Sequence, residues 1–266
     1  MRRESGRAPR ARWVSLSRVI RPRARLVIFP HAGGGPTALL SLARLCPEGT
    51  ELWGLAMTGR DVRARDTEAD DVADLVASVA AEFGGREPLP TVFLGCSLGA
   101  LVAARAAHAH PHLCDALIVA SQTPGDRDRF AEAGVDISDL EGFLLTAGMT
   151  EPEILEIKQI RDDLCGRLSK DLALVDDCAT DFGAVRCDQD LYVLSGIDDP
   201  IAPVQAMSAW RGHSRGTTTG MALPGGHFAF LEPDNHQLTR MLLSAAFETA
   251  DRSHHARRGV DRLRVG

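Results

Sequence analysis

The sequence predicts an α/β fold, a mostly parallel central sheet flanked by helices with one all-helical insertion, and three observations carry that expectation. Short apolar runs recur between stretches of helical period. These runs are rich in Leu and β-branched residues and alternate little between apolar and polar, the pattern of strands buried on both faces of a parallel sheet. The strand, helix, strand rhythm covers most of the chain and breaks once, where strand signals vanish.

In chain order the strands are RLVIFP (25–30), ELWGLAM (51–57), TVFLG (91–95), DALIVAS (115–121), DLYVLSG (190–196) and TTGMALPG (218–225). A helix is expected over 66–83, where Thr67 followed by Asp70 and Asp71 makes an acidic first turn suited to the positive end of the helix dipole. A second helix, ALVAARAAHAH, follows the third strand. Residues 123–188 offer two to four helices and no convincing strand. An insertion of this kind commonly lies over the carboxyl edge of the sheet, where open α/β folds bind ligands, and it is expected to act as a lid.

Charge divides the chain further. Residues 1–25 hold nine Arg against one Glu, and residues 251–266 hold five Arg against two Asp. With the whole chain at −6, residues 26–250 carry −17. A body that acidic is unsuited to tracking a phosphate backbone, so nucleic-acid binding is not expected. The chain uses 28 Arg and 2 Lys, a genome-wide bias more than recruitment for binding. The expected organisation is a basic, partly disordered extension at 1–24, a single domain at 25–250 containing the insertion at about 123–188, and a basic, disordered tail at 251–266. The opening run fails as a signal peptide because Arg18 interrupts its short apolar part, and no apolar run approaches a membrane span. A cytoplasmic monomer is expected. Six cysteines, at 46, 96, 114, 165, 178 and 187, form no Cys-x-x-Cys pair and are read as reduced, mostly buried thiols.

The chemistry concentrates at strand ends. Gly95-Cys96-Ser97-Leu98-Gly99 stands between the third strand and the helix after it. A serine on such a tight strand-to-helix turn is held in a strained conformation that lifts its hydroxyl above the sheet, and the glycines avoid clashes with neighbouring strands. Leu98 N–H opens the helix N-terminus, which favours developing negative charge. In this architecture the partners follow in the order nucleophile, acid, histidine. VLSGIDDPIAP supplies Asp198 and Asp199, and MALPGGHFAFLEP supplies His227. His227 is expected to take the Ser97 proton, with Asp199 orienting the ring and Asp198 capping the following turn. Asp126 is a remote alternative for the acid. The oxyanion is expected to meet Leu98 N–H and Ala32 N–H, the latter from the glycine-rich FPHAGGGP loop (29–36).

With these residues in place the sequence resembles the type II (external) thioesterases of nonribosomal peptide and polyketide synthases, members of the α/β-hydrolase superfamily. The resemblance runs roughly from Trp13 to Pro233 and rests on FPHAGGG, GRDVR (59–63), GCSLGA (95–100), TEPEILEIKQIRDDLCGRLSKDLALVDD, GIDDPIAP and GGHFAFLEP. It implies hydrolysis of acyl groups from the phosphopantetheine thiol of acyl or peptidyl carrier protein domains, clearing stalled or mis-primed chains. Matched by position, the family's nucleophile falls on Ser97, its acid on Asp199 and its base on His227. The chain departs from the family in having Cys96 for the usual His, Leu98 for Met, Thr58 for Pro, and Arg105 where an acidic or neutral residue is expected.

Several residues invite other readings. Cys96 sits beside the apex of the turn and is expected to point inward as a buried thiol. His108, His110 and His112 do not share a helical face, and Pro111 breaks the helix, so exposed turn histidines are expected and not a metal site. Arg60, Arg63 and Arg65 fit equally a solvated loop and a contact with an acidic carrier surface. No metal or organic cofactor is implied, since the phosphopantetheine arm arrives on the substrate. The same triad also serves carboxylesterases and acyltransferases or cyclases, which share the first half-reaction. A non-catalytic scaffold would not need this geometry.

Overall fold

The computed structural model describes residues 12–67, 69–125 and 136–265. Seven strands form one sheet: β1 (Trp13–Ser15), β2 (Ala24–Phe29), β3 (Thr50–Leu55), β4 (Thr91–Cys96), β5 (Ala116–Ala120), β6 (Asp190–Gly196) and β7 (Thr218–Leu223). Their order is β1-β3-β2-β4-β5-β6-β7. β1 runs antiparallel to β3, and every other pair is parallel. Among the described residues the α-helices are α1 (Val72–Phe83), α2 (Leu98–Ala109), α3 (Leu140–Thr146), α4 (Pro152–Leu155), α5 (Lys158–Ala179) and α6 (His236–Val265).

All six expected strands form, and their lack of alternation has a direct cause: successive residues serve two different cores. Val27, Phe29, Phe93, Leu117, Val119 and Val193 face Leu75 and Val79 of α1, the small residues of α2, and Leu168 and Leu172 of α5. Leu26, Ile28, Val92, Leu94, Ile118 and Leu194 face Leu42 on the other side, with Leu243 and Phe247 of α6. With both faces covered by helices, the central positions of β2, β4, β5 and β6 call for no polar residue, whereas the edge strand β7 is largely exposed and opens on Thr218 and Thr219.

Where the structure departs from expectation, side chains account for it. β1 lies within the extension expected to be partly disordered; residues 1–11 fall outside the described residues. Trp13 is 5% exposed, meets Phe29 and Phe83 edge-on at 5.3 and 5.1 Å, and its indole N–H donates to Ser78 Oγ at 3.1 Å. At the other end, the residues from 251 continue α6 to Val265 instead of forming a disordered tail. Arg257 of α6 donates to the buried carboxylate of Asp115 and to the Cys114 carbonyl, which ties the basic helix to the start of β5. α1 begins at Val72 and not at 66. Asp71 is its N-cap, accepting from Asp74 N–H at 3.1 Å, while Asp70 is drawn off to accept from Thr58 N–H at 2.7 Å and pair with Arg63 at 2.6 Å.

Between β5 and β6 the described residues carry α3, α4 and α5 and no strand. Arg105 on α2 explains its own departure from the family pattern. Its Nε donates to the Cys178 carbonyl at 2.8 Å and its Nη2 to the Thr180 carbonyl, so it caps the carboxyl end of α5 while stacking 5.6 Å over Phe182. Among the described residues no helix is long and apolar enough to cross a membrane.

The topology decides where a site can lie. The chain leaves β2 for β3 on one side and returns to β4 on the other, so the strand order reverses beside β2. The carboxyl ends of β2 and β4 therefore flank a crevice, the usual binding place in open α/β sheets.

Candidate active site

Ser97 follows the last residue of β4 and precedes the first of α2, with φ 52° and ψ −124°. No side chain adopts that conformation without strain, so surrounding packing must impose it. The imposing contacts are backbone. Ser97 N–H donates to the Ala120 carbonyl of β5 at 2.9 Å. A Cβ on Gly95 would stand 2.2 Å from the Gly99 carbonyl oxygen, and one on Gly99 would stand 2.0 Å from that of Phe29. Both glycines are required by close approach, and α2 is thereby seated against the end of β2.

His227 lies four residues beyond β7 and Asp199 three beyond β6. Their side chains are fully buried, with His227 Nδ1 at 2.9 Å from Asp199 Oδ2 and 3.1 Å from Oδ1. Asp199 Oδ1 also accepts from Ile201 and Ala202 N–H at 2.9 and 3.0 Å, which fixes the plane of the carboxylate. Asp198 is exposed, and the turn-capping expected of it is performed by Asp199. Asp126 falls outside the described residues. The histidine loop is held at both ends of its turn: Ser121, left-handed at φ 54°, donates its hydroxyl to the His227 carbonyl, and Asn235 Nδ2 donates to the Pro224 and Ala229 carbonyls at 2.8 and 2.9 Å.

His227 Nε2 is buried and has no hydrogen-bond partner among the described residues. Ser97 and His227 are therefore not bonded to each other in this state, although such bonds commonly tighten only around substrate. Ser97 and the Asp199–His227 pair meet at the end of β5, where Ser97 N–H bonds the Ala120 carbonyl and the next residue, Ser121, bonds the His227 carbonyl. The Cys96 thiol beside them is pushed up by burial and further by the Asp199 carboxylate. Cys96 is completely buried, and a thiol so placed stays protonated and unreactive. All six cysteines are free, four of them buried.

The 29–36 loop supplies the facing wall. Ala32 is 2% exposed and Leu98 1% exposed. His31, one residue earlier, packs on Phe228 at 4.7 Å between ring centroids. Burial lowers its pKa to about 3, assisted by the nearby His227 and Arg60, so its imidazole stays neutral. Gly33 N–H donates to Asp171 Oδ2 of α5 at 2.7 Å. Neither His31 nor Asp171 was singled out from the sequence. Nothing in the spacing of Asp171, 138 residues from Gly33, announces the contact.

The arginines at 60 and 63 fit neither sequence reading. Arg60 is 4% exposed and bonds Asp171 at 2.5 Å. Arg63 is 5% exposed and donates to Asp66 and Asp70 carboxylates, the Ala56 carbonyl and Thr58 Oγ1. Thr58 thus uses a hydroxyl and an N–H that proline lacks. Arg65 remains exposed. His108 and His112 are exposed and His110 half-buried, and His108 Nδ1–H donates to the Arg186 carbonyl at 2.7 Å. Among the described residues no group of three or more His, Cys, Asp or Glu is arranged to hold a metal ion.

Comparison with known proteins gives the family. A family model described as thioesterase domain matches residues 24–245. The human "S-acyl fatty acid synthase thioesterase, medium chain" is 26% identical over 246 residues, 86% of this chain and 89% of that protein. The "probable cadicidin biosynthesis thioesterase" of Streptomyces griseus is 28% identical over 222 residues, 77% of this chain and 57% of the relative. Among solved structures, YbtT, described as a type II thioesterase from the yersiniabactin NRPS/PKS pathway, superposes with a TM-score of 0.70 at 20% identity, covering 92% of this chain and 100% of its own. RedJ, a thioesterase of prodiginine biosynthesis in Streptomyces coelicolor, gives 0.70 at 23% identity, covering 84% and 90%. At such identities the superpositions speak for the α/β-hydrolase fold. The family match spans the serine turn, the insertion and the histidine loop together, and on that ground the chain belongs to the thioesterase domain family, a thioester hydrolase.

Proposed function

We propose that the protein is a type II thioesterase that hydrolyses acyl-S-phosphopantetheine thioesters on carrier proteins, removing stalled or wrong acyl groups from a nonribosomal peptide or polyketide synthase. The observation that carries the chemistry is the buried Asp199–His227 pair, 2.9 Å apart, beside a serine at φ 52°. The carrier-bound substrate is supported by the names of relatives, a biosynthesis thioesterase from Streptomyces griseus and a fatty acid synthase thioesterase from human among them.

In the proposed mechanism Ser97 Oγ attacks the thioester carbonyl carbon as His227 Nε2 takes its proton. Asp199 holds the ring through Nδ1 and stabilises the cation that forms. Negative charge on the former carbonyl oxygen is met by the N–H groups of Ala32 and Leu98. Collapse breaks the carbon–sulfur bond, and the phosphopantetheine thiolate leaves with the proton from His227. Water then attacks the acyl-serine ester, giving its proton to His227, and the acid is released with Ser97 restored. No cofactor is consumed. The α3–α5 insertion would serve as a lid shaping the acyl pocket, on a protein acting as a cytoplasmic monomer.

The test is thiol release from carrier proteins loaded with acetyl, propionyl and longer acyl groups, run beside Ser97→Ala and a p-nitrophenyl ester. Release that vanishes in the variant supports the reading. Cleavage of the oxygen ester without thiol release would point to a carboxylesterase. Transfer of the acyl group to a hydroxyl or amine instead of water would point to an acyltransferase or cyclase.

A further inference from the structure

Asp171 lies within α5 and is 3% exposed. One oxygen, Oδ2, accepts from both Gly33 N–H at 2.7 Å and Arg60 Nη2 at 2.5 Å. Arg60 is equally buried, and its Nε and Nη1 have no hydrogen-bond partner among the described residues. Buried pairs of this kind rarely add stability over apolar residues of the same volume, because desolvation offsets the attraction. Burial pushes the Asp171 carboxyl up, and Arg60 with the Gly33 N–H opposes that shift. What the pair does supply is a fixed acceptor aimed at one backbone N–H.

That N–H is the one after Ala32. Gly33, Gly34 and Gly35 follow in sequence, and a three-glycine run has the greatest conformational freedom a backbone can have. Gly33 itself is left-handed at φ 78°. An N–H donor for an oxyanion must be held within about 0.5 Å of its productive position, which such a run does not ensure by itself. We propose that Asp171 is a positioning residue: through the Gly33 N–H the insertion helix pins the carboxyl side of Ala32, and so fixes the residue whose own N–H projects from the preceding His31–Ala32 peptide, with Arg60 as the counter-ion of Asp171. This rests on the reading of Ala32 N–H as an oxyanion donor.

The discriminating experiment compares two double variants that both lack the buried cation. Arg60→Gln/Asp171→Asn keeps an amide oxygen able to accept from Gly33, and Arg60→Gln/Asp171→Ala does not. Thiol release from acetyl-loaded carrier protein should lose about tenfold to a hundredfold in kcat in the alanine double, somewhat less than outright removal of an oxyanion donor, with KM changed less than about threefold. The asparagine double should recover most of that kcat, and the two should unfold within a few degrees of each other. If the alanine double does not fold, Arg60→Met/Asp171→Leu replaces it, since an apolar pair of similar volume keeps the packing. Equal kcat in variants with and without the acceptor overturns the proposal, as does an effect confined to KM. Ser97→Ala run in parallel separates the two levels: inactive Ser97→Ala with indistinguishable doubles sinks this proposal alone, whereas Ser97→Ala as active as the parent chain sinks the site reading and this proposal with it.

Discussion

Gly99 of α2 approaches Phe29 of β2 so closely that a Cβ on it would stand 2.0 Å from the Phe29 carbonyl oxygen. Neither partner can yield, because the contact is backbone against backbone at the buried switch point of the sheet. Gly99→Ala is expected to destabilise the protein by about 3 kcal/mol or more and to remove activity with it. Gly166, inside α5, has nothing within 4 Å of where its Cβ would stand. Gly166→Ala should therefore add about 1 kcal/mol through helix propensity. Urea midpoints for the two variants test the pair, and movement in the same direction would contradict this account of the turn.

Adjacent carboxylates should behave very differently. Asp199 contacts His227 and is buried, whereas Asp198 is exposed. Asp199→Asn is expected to lower kcat about ten-thousandfold, since the amide holds the imidazole in the wrong tautomer and supplies no counter-charge. Asp198→Asn should stay within about twofold of the parent, as surface substitutions usually do. A reversed ranking in steady-state thiol release would reassign the acid.

His31 should make the fold sensitive to acid. Its imidazole has a folded pKa of about 3 against 6.5 for the ordinary group. As pH falls the unfolded chain takes the proton first, so the stability that His31 contributes is complete above pH 6.5 and drains away toward pH 3. At pH 5 the loss is about 2 kcal/mol. His31→Gln cannot titrate, and its unfolding midpoint should fall less than the parent's between pH 7 and pH 5. Parallel pH slopes would show that the His31 ring is hydrated in the folded protein.

Trp13 ties the edge strand to the main core. Buried against Phe29 and Phe83 and bonded to Ser78, it closes one corner of the domain. Trp13→Ala should destabilise by about 3 to 5 kcal/mol, measured by urea unfolding. A loss under about 1 kcal/mol would mean that β1 is dispensable.

Much of this molecule was legible in one dimension, and the residues show why. Strands such as TVFLG and DALIVAS are local statements, because burial on both faces leaves a run of apolar residues that no other element explains. The placement of Ser97, Asp199 and His227 at strand ends was equally legible, since Ser97 follows β4 directly, Asp199 and His227 lie three and four residues beyond β6 and β7, and the glycine, proline or acidic neighbours that shape each turn are written beside them. β1 was hidden because three residues in an arginine-rich stretch carry too little pattern, and only the pocket made by Phe29, Phe83 and Ser78 selects Trp13. The helical end of α6 was hidden for the same reason, as the acceptor for Arg257 is Asp115, 142 residues away.

Residue types and local turns thus settled the sheet, the serine turn and the placement of Asp199 and His227 at later strand ends. The sequence left open what each arginine and aspartate of the 58–70 segment and of α5 would face. Arg60 and Arg63 read equally as surface charge, and Asp171 as one of many acidic residues on a polar helix. The Arg60–Asp171 pairing depends on α5 being laid against the loops after β2 and β3, and a charge becomes a buried clamp only when distant segments close around it and remove the water.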